Sequence, residues 1–596
     1  MKVLLANAPW HLTRNGKMYL GCRAGSRWPF LQDYHGSMIS SYRPFPFFLA
    51  TASALLKKNG FLVNVRDSIA IGEYYDYFYS YVEECNPDLI MLEVATPSIY
   101  NDLEVVRRIK EILPDTKVVL AGLHAPIAEK EFMEENPFVD FTIYGEYEHP
   151  LLKLAINLDE GRDFGDVPNL LYRNEMGNIK KNNRERLVPL NELPWPDRDG
   201  LPTTYYDGSG GMPGLELQLQ TTRGCPYHCN FCVWPQLMYA GPEYRMRDPK
   251  DVVQEILVNF EKAPYTHFYF DDDTINLNKE HFLGLCKEIK ANGLDKYQWA
   301  CMGRGDLMDD EMLQAMKDAG CYGIKYGVES FNQDILDKTG KALNIEKNIE
   351  NIKKTRALGI KVHLTYCLGL MGDTRETVED TIKKSLELEA DSRQYSIATP
   401  YLGSKLWQEY KENGLLETED LSMFDGLHTA VARHEDLPPE ELMRMRDEAE
   451  LMSSMEIAGR LQSPFATVVF EEKIVKNVEG AKKILITGTA QRALVKRIWK
   501  ILTERGITTN ILTHEKYLPE YEDLPSDCLI SFLDPTSFCL NDMKKLTNKL
   551  RANFYDCVII PSRSYSTSGM ENVIEVAQDI SDNIVMTYEN AEVGKV

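Results

Sequence analysis

Short apolar runs alternate with amphipathic stretches in three parts of the chain. In residues 1–158 the runs are KVLLAN from Lys2, FLVNV from Phe61, DLIMLEV from Asp88, KVVLAG from Lys117 and DFTIYG from Asp140. Helical periodicity fits between them, for example over 50–59 and 102–113. Continuous β-branched runs separated by helices predict a parallel sheet covered on both faces, hence a doubly wound domain. Such a sheet takes its ligands at the carboxyl ends of its strands. The link after the first run, about Ala8 to Pro44, shows no clear period and carries Trp10, Trp28 and Phe30. A link of that length is read as an ordered binding loop.

Residues 159–213 form a connector rich in Pro, Gly, Asn and Asp, with a hairpin expected at LLYRNEMGNIKK, where Gly-Asn makes the turn. Residues 214–415 repeat the alternation: LELQLQ from Leu215, HFYFD from His267, YQWACM from Tyr297, YGIKYGV from Tyr322, KVHLTYCLGL from Lys361 and QYSIATP from Gln394. Amphipathic stretches such as DPKDVVQEILVNFEK lie between them. Six β/α units in series predict a partial β/α barrel, with chemistry at the carboxyl ends of its strands. Residues 416–480 are a helical segment with one long Met-rich helix over 438–462. Residues 481–596 predict a small C-terminal α/β domain, with strands at KILITG from Lys483, DCLISFL from Asp527, YDCVIIPS from Tyr555 and NIVMTY from Asn583. ITGTAQR follows the first of these with a single glycine, which reads as a strand–helix turn more than a phosphate loop.

Composition narrows the partners. The 596 residues allow three or four domains at ~150 residues each. The 67 Lys and Arg against 90 Asp and Glu give a net charge of −23, which argues against nucleic acid and against docking on anionic lipid. Apolar runs such as VVLAG from Val118 are too short to cross a bilayer, and MKVLLANAPW lacks the form of a signal peptide. A cytoplasmic chain with reduced cysteines is expected. Of the 12 cysteines, nine are scattered and three stand together.

Those three are Cys225, Cys229 and Cys232, in RGCPYHCNFC directly after the first barrel strand. Three thiolates on one tight loop can each bind one iron of a cubane cluster, which leaves the fourth iron open to a small molecule. Soft thiolates suit iron–sulfur or zinc. Structural zinc wants a fourth Cys or His nearby, and His228 lies inside the loop. The strand–loop–barrel context favours the cluster. The other cysteines have no ligand spacing: Cys286 falls in a helix pattern, Cys321 at a helix end, Cys301 and Cys367 on barrel strands, all readable as small core residues.

Further motifs accompany the loop in order: ATPS at Ala95, AGLHAP at Ala121, YGEYE at Tyr144, YRMRDPKDVVQEI at Tyr244, FDDDT at Phe270, AGCYGIKYGVES at Ala319 and GLMGDT at Gly369. Over about residues 1–415 the chain resembles the cobalamin-binding radical SAM enzymes. The resemblance implies a 4Fe-4S cluster on the three cysteines, S-adenosyl-L-methionine (SAM) on the open iron, and reductive cleavage of SAM to a 5′-deoxyadenosyl radical. It implies Phe231 near the adenine, Asp271 and Glu329 at the methionyl or ribose groups, Arg304 at the carboxylate, and Gly369 and Gly372 where backbone approaches the adenosyl group. Read without it, Asp271–Asp273 are helix N-caps and Arg304 is a surface charge. In the first domain it places cobalamin above Thr96, Pro97 and Ser98, above Gly122 and His124, and above Gly145 and Glu146. The Asp-x-His-x-x-Gly signature of many cobalamin proteins is broken: QDYHGSM has Asp33 and His35, but Met38 stands in place of Gly. Cobalamin without a histidine on cobalt is therefore expected. The chain also departs from the family at Met371, Asp373, Ala121 and Tyr147.

The activity implied is C-methylation of an unactivated carbon in a small-molecule or lipid-like substrate, with electrons from a donor such as flavodoxin or ferredoxin. The alternatives are an oxidative cyclase or rearrangement enzyme of the same class, or a redox or SAM-binding sensor without turnover. The aromatics around Phe45–Phe48 read either as core or as an apolar mouth for substrate.

Overall fold

The computed structural model describes residues 1–14, 17–22, 29–33, 43–125, 129–206, 208–212, 214–434, 436–461, 474–476, 478–487, 492–514, 521, 524–532, 550, 554–562, 577–578, 580–581, 584–588 and 593–595. Two compact units emerge: Met1–Gln32, Arg43–Gly210 and Leu215–Leu451 in one, and Asp33–Tyr42, Gly211–Gly214 and Met452–Val596 in the other.

The first unit opens with β1 (Lys2–Asn7). Three short strands follow, β2 (His11–Arg14), β3 (Lys17–Cys22) and β4 (Phe30–Asp33), in a small sheet of order β2-β3-β4. The link read as an ordered binding loop is thus partly extended in its described residues. Its strands HLTR and KMYLGC mix charged, aromatic and small residues, so no period-2 signal marks them. Then come β5 (Leu62–Asp67), β6 (Leu89–Val94), β7 (Lys117–Gly122), β8 (Phe141–Ile143), β9 (Leu170–Arg173) and β10 (Ile179–Lys181). With β1 they form a seven-stranded sheet of order β10-β9-β8-β7-β6-β1-β5. β1 and β5–β8 pair in parallel, while β9 and β10 add antiparallel at the edge. The hairpin foreseen in the connector therefore extends the first sheet. Alternate residues of β1 enter two cores: Leu4 and Ala6 on one face, Val3 and Leu5 on the other. That is the doubly wound pattern.

The second sheet of this unit is β11 (Glu216–Leu219), β14 (His267–Phe270), β15 (Gln298–Gly303), β16 (Cys321–Glu329), β17 (Lys361–Leu368) and β18 (Ser392–Ile397), in consecutive order and parallel throughout. Between β11 and β14 lie β12 (Thr222–Arg223) and β13 (Arg245–Met246), an antiparallel pair. Five helices, Pro249–Lys262, Lys279–Ala291, Asp310–Asp318, Ile345–Ala357 and Arg375–Glu387, each begin at a residue whose side chain accepts a backbone N–H: Asp248, Asn278, Asp309, Asn344 and Thr374. Their apolar residues, such as Ile256, Phe282, Met312, Ile352 and Val378, share one core with Leu217, Phe268, Trp299, Ile324 and Val362 of the strands. The helices thus cover one face of a partial β/α barrel and leave the strand ends to the site. Cys321, expected at a helix end, begins β16.

The second unit holds β19 (Lys483–Thr487), β20 (Thr508–His514), β21 (Leu529–Phe532), β22 (Cys557–Ser562), β23 (Ile584–Tyr588) and β24 (Val593–Lys595), ordered β21-β20-β19-β22-β23-β24. Only β24 runs antiparallel to its neighbour. The small α/β domain is present with two strands beyond the four expected. The turn part of ITGTAQR, residues 488–491, lies outside the described residues. The long helix appears as Pro439–Leu461. Among the described residues no helix is long and apolar enough to cross a membrane.

Candidate active site

The cysteine loop leaves the barrel through β12, and acidic residues at the end of β14 fix that exit. The Asp272 carboxylate accepts from the Thr221 N–H (2.6 Å), the Thr221 hydroxyl (2.5 Å) and the Thr222 N–H (2.9 Å). The Asp273 carboxylate accepts from the Gly224 N–H (2.7 Å) and the Tyr239 hydroxyl (2.9 Å). These two aspartates are loop braces and not helix caps; the following helix is capped by Asn278. Gly224 has φ +100°, and a Cβ there would lie 2.0 Å from the Glu243 carbonyl oxygen, so only glycine fits. From inside, the Gln236 amide donates to the carbonyls of Cys229 (3.2 Å), Asn230 (3.1 Å) and Cys232 (2.6 Å), while its oxygen accepts from the Lys405 N–H (2.7 Å). Gln236 sits in a single π-turn, Trp234–Met238, directly after the motif. Sequence reading passed it over; an amide four residues after the last cysteine was the available signal.

Cys225, Cys229 and Cys232 are half-buried. Burial pushes all three thiols up, Cys229 to about 11; Cys225 adds to the rise at Cys229, and both add to it at Cys232. The Lys341 and Arg304 cations act in the opposite sense on Cys229. Three thiols in this state become thiolates only with cationic metal among them, and loading releases their protons. Among the described residues no three Cys, His, Asp or Glu side chains converge tightly enough for a single metal ion. Tetrahedral zinc needs every ligand ~2.0–2.3 Å from one centre. Three thiolates on one tight loop fit three corners of a cluster.

Of the residues assigned to SAM, Phe231 packs with Ile335, Leu370 and Ala398 and also against Leu406 and Tyr410, so it meets the GLMGDT turn. Asp271 is buried at the end of β14, its N–H bonded to the Leu219 carbonyl (2.8 Å). Glu329 closes β16 with φ +65° and pairs with Lys341 at 2.5 Å. Arg304 is buried and not a surface charge. Its guanidinium donates to Asp306 (3.1 and 2.9 Å) and to the carbonyls of Lys341 (2.8 Å) and Ala342 (3.0 Å), and it lies 3.7 Å from the Tyr227 ring centre. With those bonds made, Arg304 supports the cysteine loop through Tyr227. Gly369 gives its N–H to Asp373 (3.0 Å) and its carbonyl to the Tyr410 hydroxyl (2.8 Å), and the space a Cβ would take holds Leu442. Gly372 follows in the same turn, with φ +91°.

At the carboxyl edge of the first sheet, Thr96, Pro97 and Ser98 form a 3-10 turn after β6. His124 lies after β7 and Gly122, with Nδ1 3.4 Å from the Thr96 hydroxyl. Burial pushes His124 down to about 4, so the ring is neutral. Gly145 and Glu146 are placed differently from expectation. A Cβ on Gly145 would meet the Met238 carbonyl at 3.0 Å, and Glu146 pairs with Arg245 and lies 3.6 Å from Arg223. These two face the segment behind the cysteines, and Glu146 spends its carboxylate on that bridge. Asn7, missed in the sequence, ends β1 on the same edge. It is fully buried, and neither side-chain atom has a hydrogen-bond partner among the described residues. A buried amide left unmade costs ~1–3 kcal/mol, so Asn7 fits a ligand rich in amides such as the corrin periphery. His35, Met38 and Trp28 lie outside the described residues.

The two edges adjoin. Arg223, two residues before Cys225, donates to Glu148 at 2.6 Å, and Trp234, Leu237 and Tyr239 share a core with Phe48, Tyr147 and Leu151 of the first domain. The superfamily model for radical SAM proteins matches residues 219–384, and the B12 binding domain model matches residues 42–155. The chain thus carries a radical SAM domain and a B12-binding domain. The chain is 29% identical over 357 residues to an uncharacterized methyltransferase of Pyrococcus horikoshii, covering 60% of this chain and 76% of that one. It is 28% identical to an anaerobic magnesium-protoporphyrin IX monomethyl ester cyclase of Cereibacter sphaeroides, covering 66% of this chain and 64% of that enzyme. Its fold resembles that of the radical SAM methyltransferase TsrM of Kitasatospora setae, solved with cobalamin and a 4Fe-4S cluster: TM-score 0.56 and 21% identity, over 76% of this chain and 85% of that one. The two matched domains are those of a 4Fe-4S cluster with SAM and of cobalamin.

Proposed function

We propose that the protein is a cobalamin-dependent radical SAM C-methyltransferase, cytoplasmic, reduced by a flavodoxin- or ferredoxin-type donor and acting on an unactivated carbon. The observation that carries this reading is the buried bridge from Arg223 to Glu148, which ties the cysteine loop to the cobalamin edge. When bound, the three cofactors supply a hydrogen-abstracting radical and a methyl donor. The chain's own part is placement. Cys225, Cys229 and Cys232 hold the cluster. Phe231, Leu370 and Met371 wall the adenosyl side with apolar surface. Glu329, held by Lys341, and Asp271 stand at strand ends facing the polar part of SAM. Thr96, Ser98, Gly122, His124 and Asn7 line the cobalamin edge. The relatives named methyltransferases support transfer, and the cyclase relative supports the second reading, an oxidative cyclisation.

Product mass separates the two readings. Protein purified without oxygen and reconstituted with iron, sulfide and cobalamin is given SAM, reductant and fractionated metabolites. A product 14 Da heavier, with 5′-deoxyadenosine and S-adenosylhomocysteine, is expected. A product lacking hydrogens and no S-adenosylhomocysteine would overturn methylation in favour of cyclisation.

Asn7 gives a second expectation. Asn7→Ala removes an amide without a partner among the described residues, so apoprotein stability should hold within about 1 kcal/mol or rise. Cobalamin affinity should fall about five- to tenfold in equilibrium dialysis. Unchanged cobalamin affinity would remove Asn7 from that site.

A further inference from the structure

The six-stranded sheet has two unlike faces. Along β17 the burial alternates strictly: Val362, Leu364, Tyr366 and Leu368 are fully buried under the helices, while Lys361, His363, Thr365 and Cys367 stay half-buried on the inner face. β16 shows the same split, with Ile324, Tyr326 and Val328 in the core and Lys325 and Glu329 inward. A barrel interior that only supported the fold would be filled with branched apolar side chains. This inner face is polar and retains solvent exposure, as a binding surface does.

Its middle is basic. Lys325 and His363 are register partners on neighbouring strands, ~4.8 Å apart, with Met302 on one side and Ser392 on the other. The Lys325 ammonium lies 5.2 Å from the Tyr269 ring centre. His363 Nδ1 is 2.8 Å from the Ser392 hydroxyl. Burial and the Lys325 cation push His363 down to about 3, so the ring is neutral beside a charged lysine. Above and below, the ammonium groups of this face meet acids: Lys341 on Glu329 at 2.5 Å and Lys361 on Asp391 at 3.1 Å. The apolar alternative has no support on the inner face. Of the two readings of Phe45, Phe47 and Phe48, core and apolar mouth, the core holds: they are 1%, 2% and 4% exposed.

We propose that the inner face binds a polar substrate carrying a carboxylate or phosphate group, and that Lys325 and His363 hold that oxyanion. An oxyanion takes a charge-assisted bond from the ammonium and a second from the imidazole N–H. Lys325 lies four residues before Glu329, roughly 13 Å down the strand at ~3.3 Å per residue. Its register partner Met302 is the last residue but one of β15, so the anchored group lies near the carboxyl edge of the neighbouring strands, on the side where the reacting carbon must sit. The inference rests on the methyltransferase reading for calling this molecule the substrate.

Full-length protein reconstituted with iron, sulfide and cobalamin, and saturated with SAM, is dialysed against radiolabelled inorganic phosphate, succinate and glycerol. Phosphate and succinate are expected to bind and glycerol not. Lys325→Met should weaken both anions at least tenfold, and Lys325→Arg should stay within about threefold of the parent, with melting midpoints of both variants close to the parent's. Equal binding by parent and Lys325→Met, or no anion binding by the parent, overturns the proposal. Methylated product found only from neutral or lipid fractions overturns it while leaving methyl transfer intact. Anion binding lost in Lys325→Met, together with a dehydrogenated product, supports the site and overturns methyl transfer.

Discussion

Replacing Cys225, Cys229 and Cys232 together by Ala should abolish iron binding and lower 5′-deoxyadenosine formation at least about 10³-fold, equivalent to ~4 kcal/mol of barrier, while the apoprotein still folds. The two halves of this expectation have separate causes. The thiols are half-buried in a loop whose shape is set by other residues: Asp272 and Asp273 at its entry and the Gln236 amide within it. Removing three sulfur atoms breaks none of those bonds, so apoprotein stability should change by no more than about 1 kcal/mol per site. No other described side chains offer a substitute metal site. Iron analysis, the visible absorption of the cluster and deoxyadenosine yield are the measurements. A triple variant that keeps its iron and its absorption would place the cluster elsewhere.

The architecture was legible because parallel strands buried on both faces, or capped by helices on one, leave continuous apolar runs. LIMLEV is buried end to end and KVVLAG is buried after Lys117, and their sequences say so. The barrel strands were legible for a related reason: apart from Arg393 of β18, their outward residues are mainly apolar, and each intervening helix announces itself with a capping side chain. What stayed hidden was extended chain without that burial. HLTR, KMYLGC and TTNILTH hold polar or mixed residues, and nothing local marks them as strands. The hairpin at LLYRNEMGNIKK was seen, but which sheet it joins depends on the pairing of Leu170 with Ile143, a contact no local pattern encodes.

The site divides in the same way. The cysteine spacing is local, so it could be read directly. Roles that depend on long-range partners could not. Glu146 stands in a strand-end loop where cobalamin was expected, yet its carboxylate meets Arg245, 99 residues on. FDDDT offered three aspartates of equal standing in sequence. Only the fold shows that Asp272 and Asp273 reach back about 50 residues to brace the loop, while Asp271 stays at the strand end. Arg304 was legible as a charge near the site, but its bonds to the Lys341 and Ala342 carbonyls needed the chain to close on itself.

Arg223→Met should destabilise the apoprotein by about 3–5 kcal/mol, the cost of leaving a buried carboxylate without its partner. The Arg223 and Glu148 side chains are 4% and 2% exposed and 2.6 Å apart, with Glu146 at 3.6 Å from the same guanidinium. The guanidinium also lies over the Phe48 ring and donates to Gln220 at 2.8 Å, so Met replaces its bulk but none of its bonds. Burial pushes the Glu148 carboxyl above its ordinary 4.5, and Arg223 works against that rise. Without Arg223 the folded chain holds the Glu148 proton to higher pH, whereas the unfolded chain releases it near the ordinary value. The folded state then binds more protons than the unfolded one across that window, so stability falls as pH rises through it. The deficit of Arg223→Met against its parent should be smaller at pH 5.5 than at pH 8 in urea denaturation. Adding Glu148→Gln removes the stranded charge and should recover about half of the loss at pH 8. Because the same bridge ties the cysteine loop to the cobalamin edge, Arg223→Met should also lose iron on reconstitution, and the double variant should regain stability before it regains the cluster. A deficit below about 1 kcal/mol that ignores pH would mean that the loop is held by its aspartates and Gln236 alone, with the bridge contributing nothing to either edge.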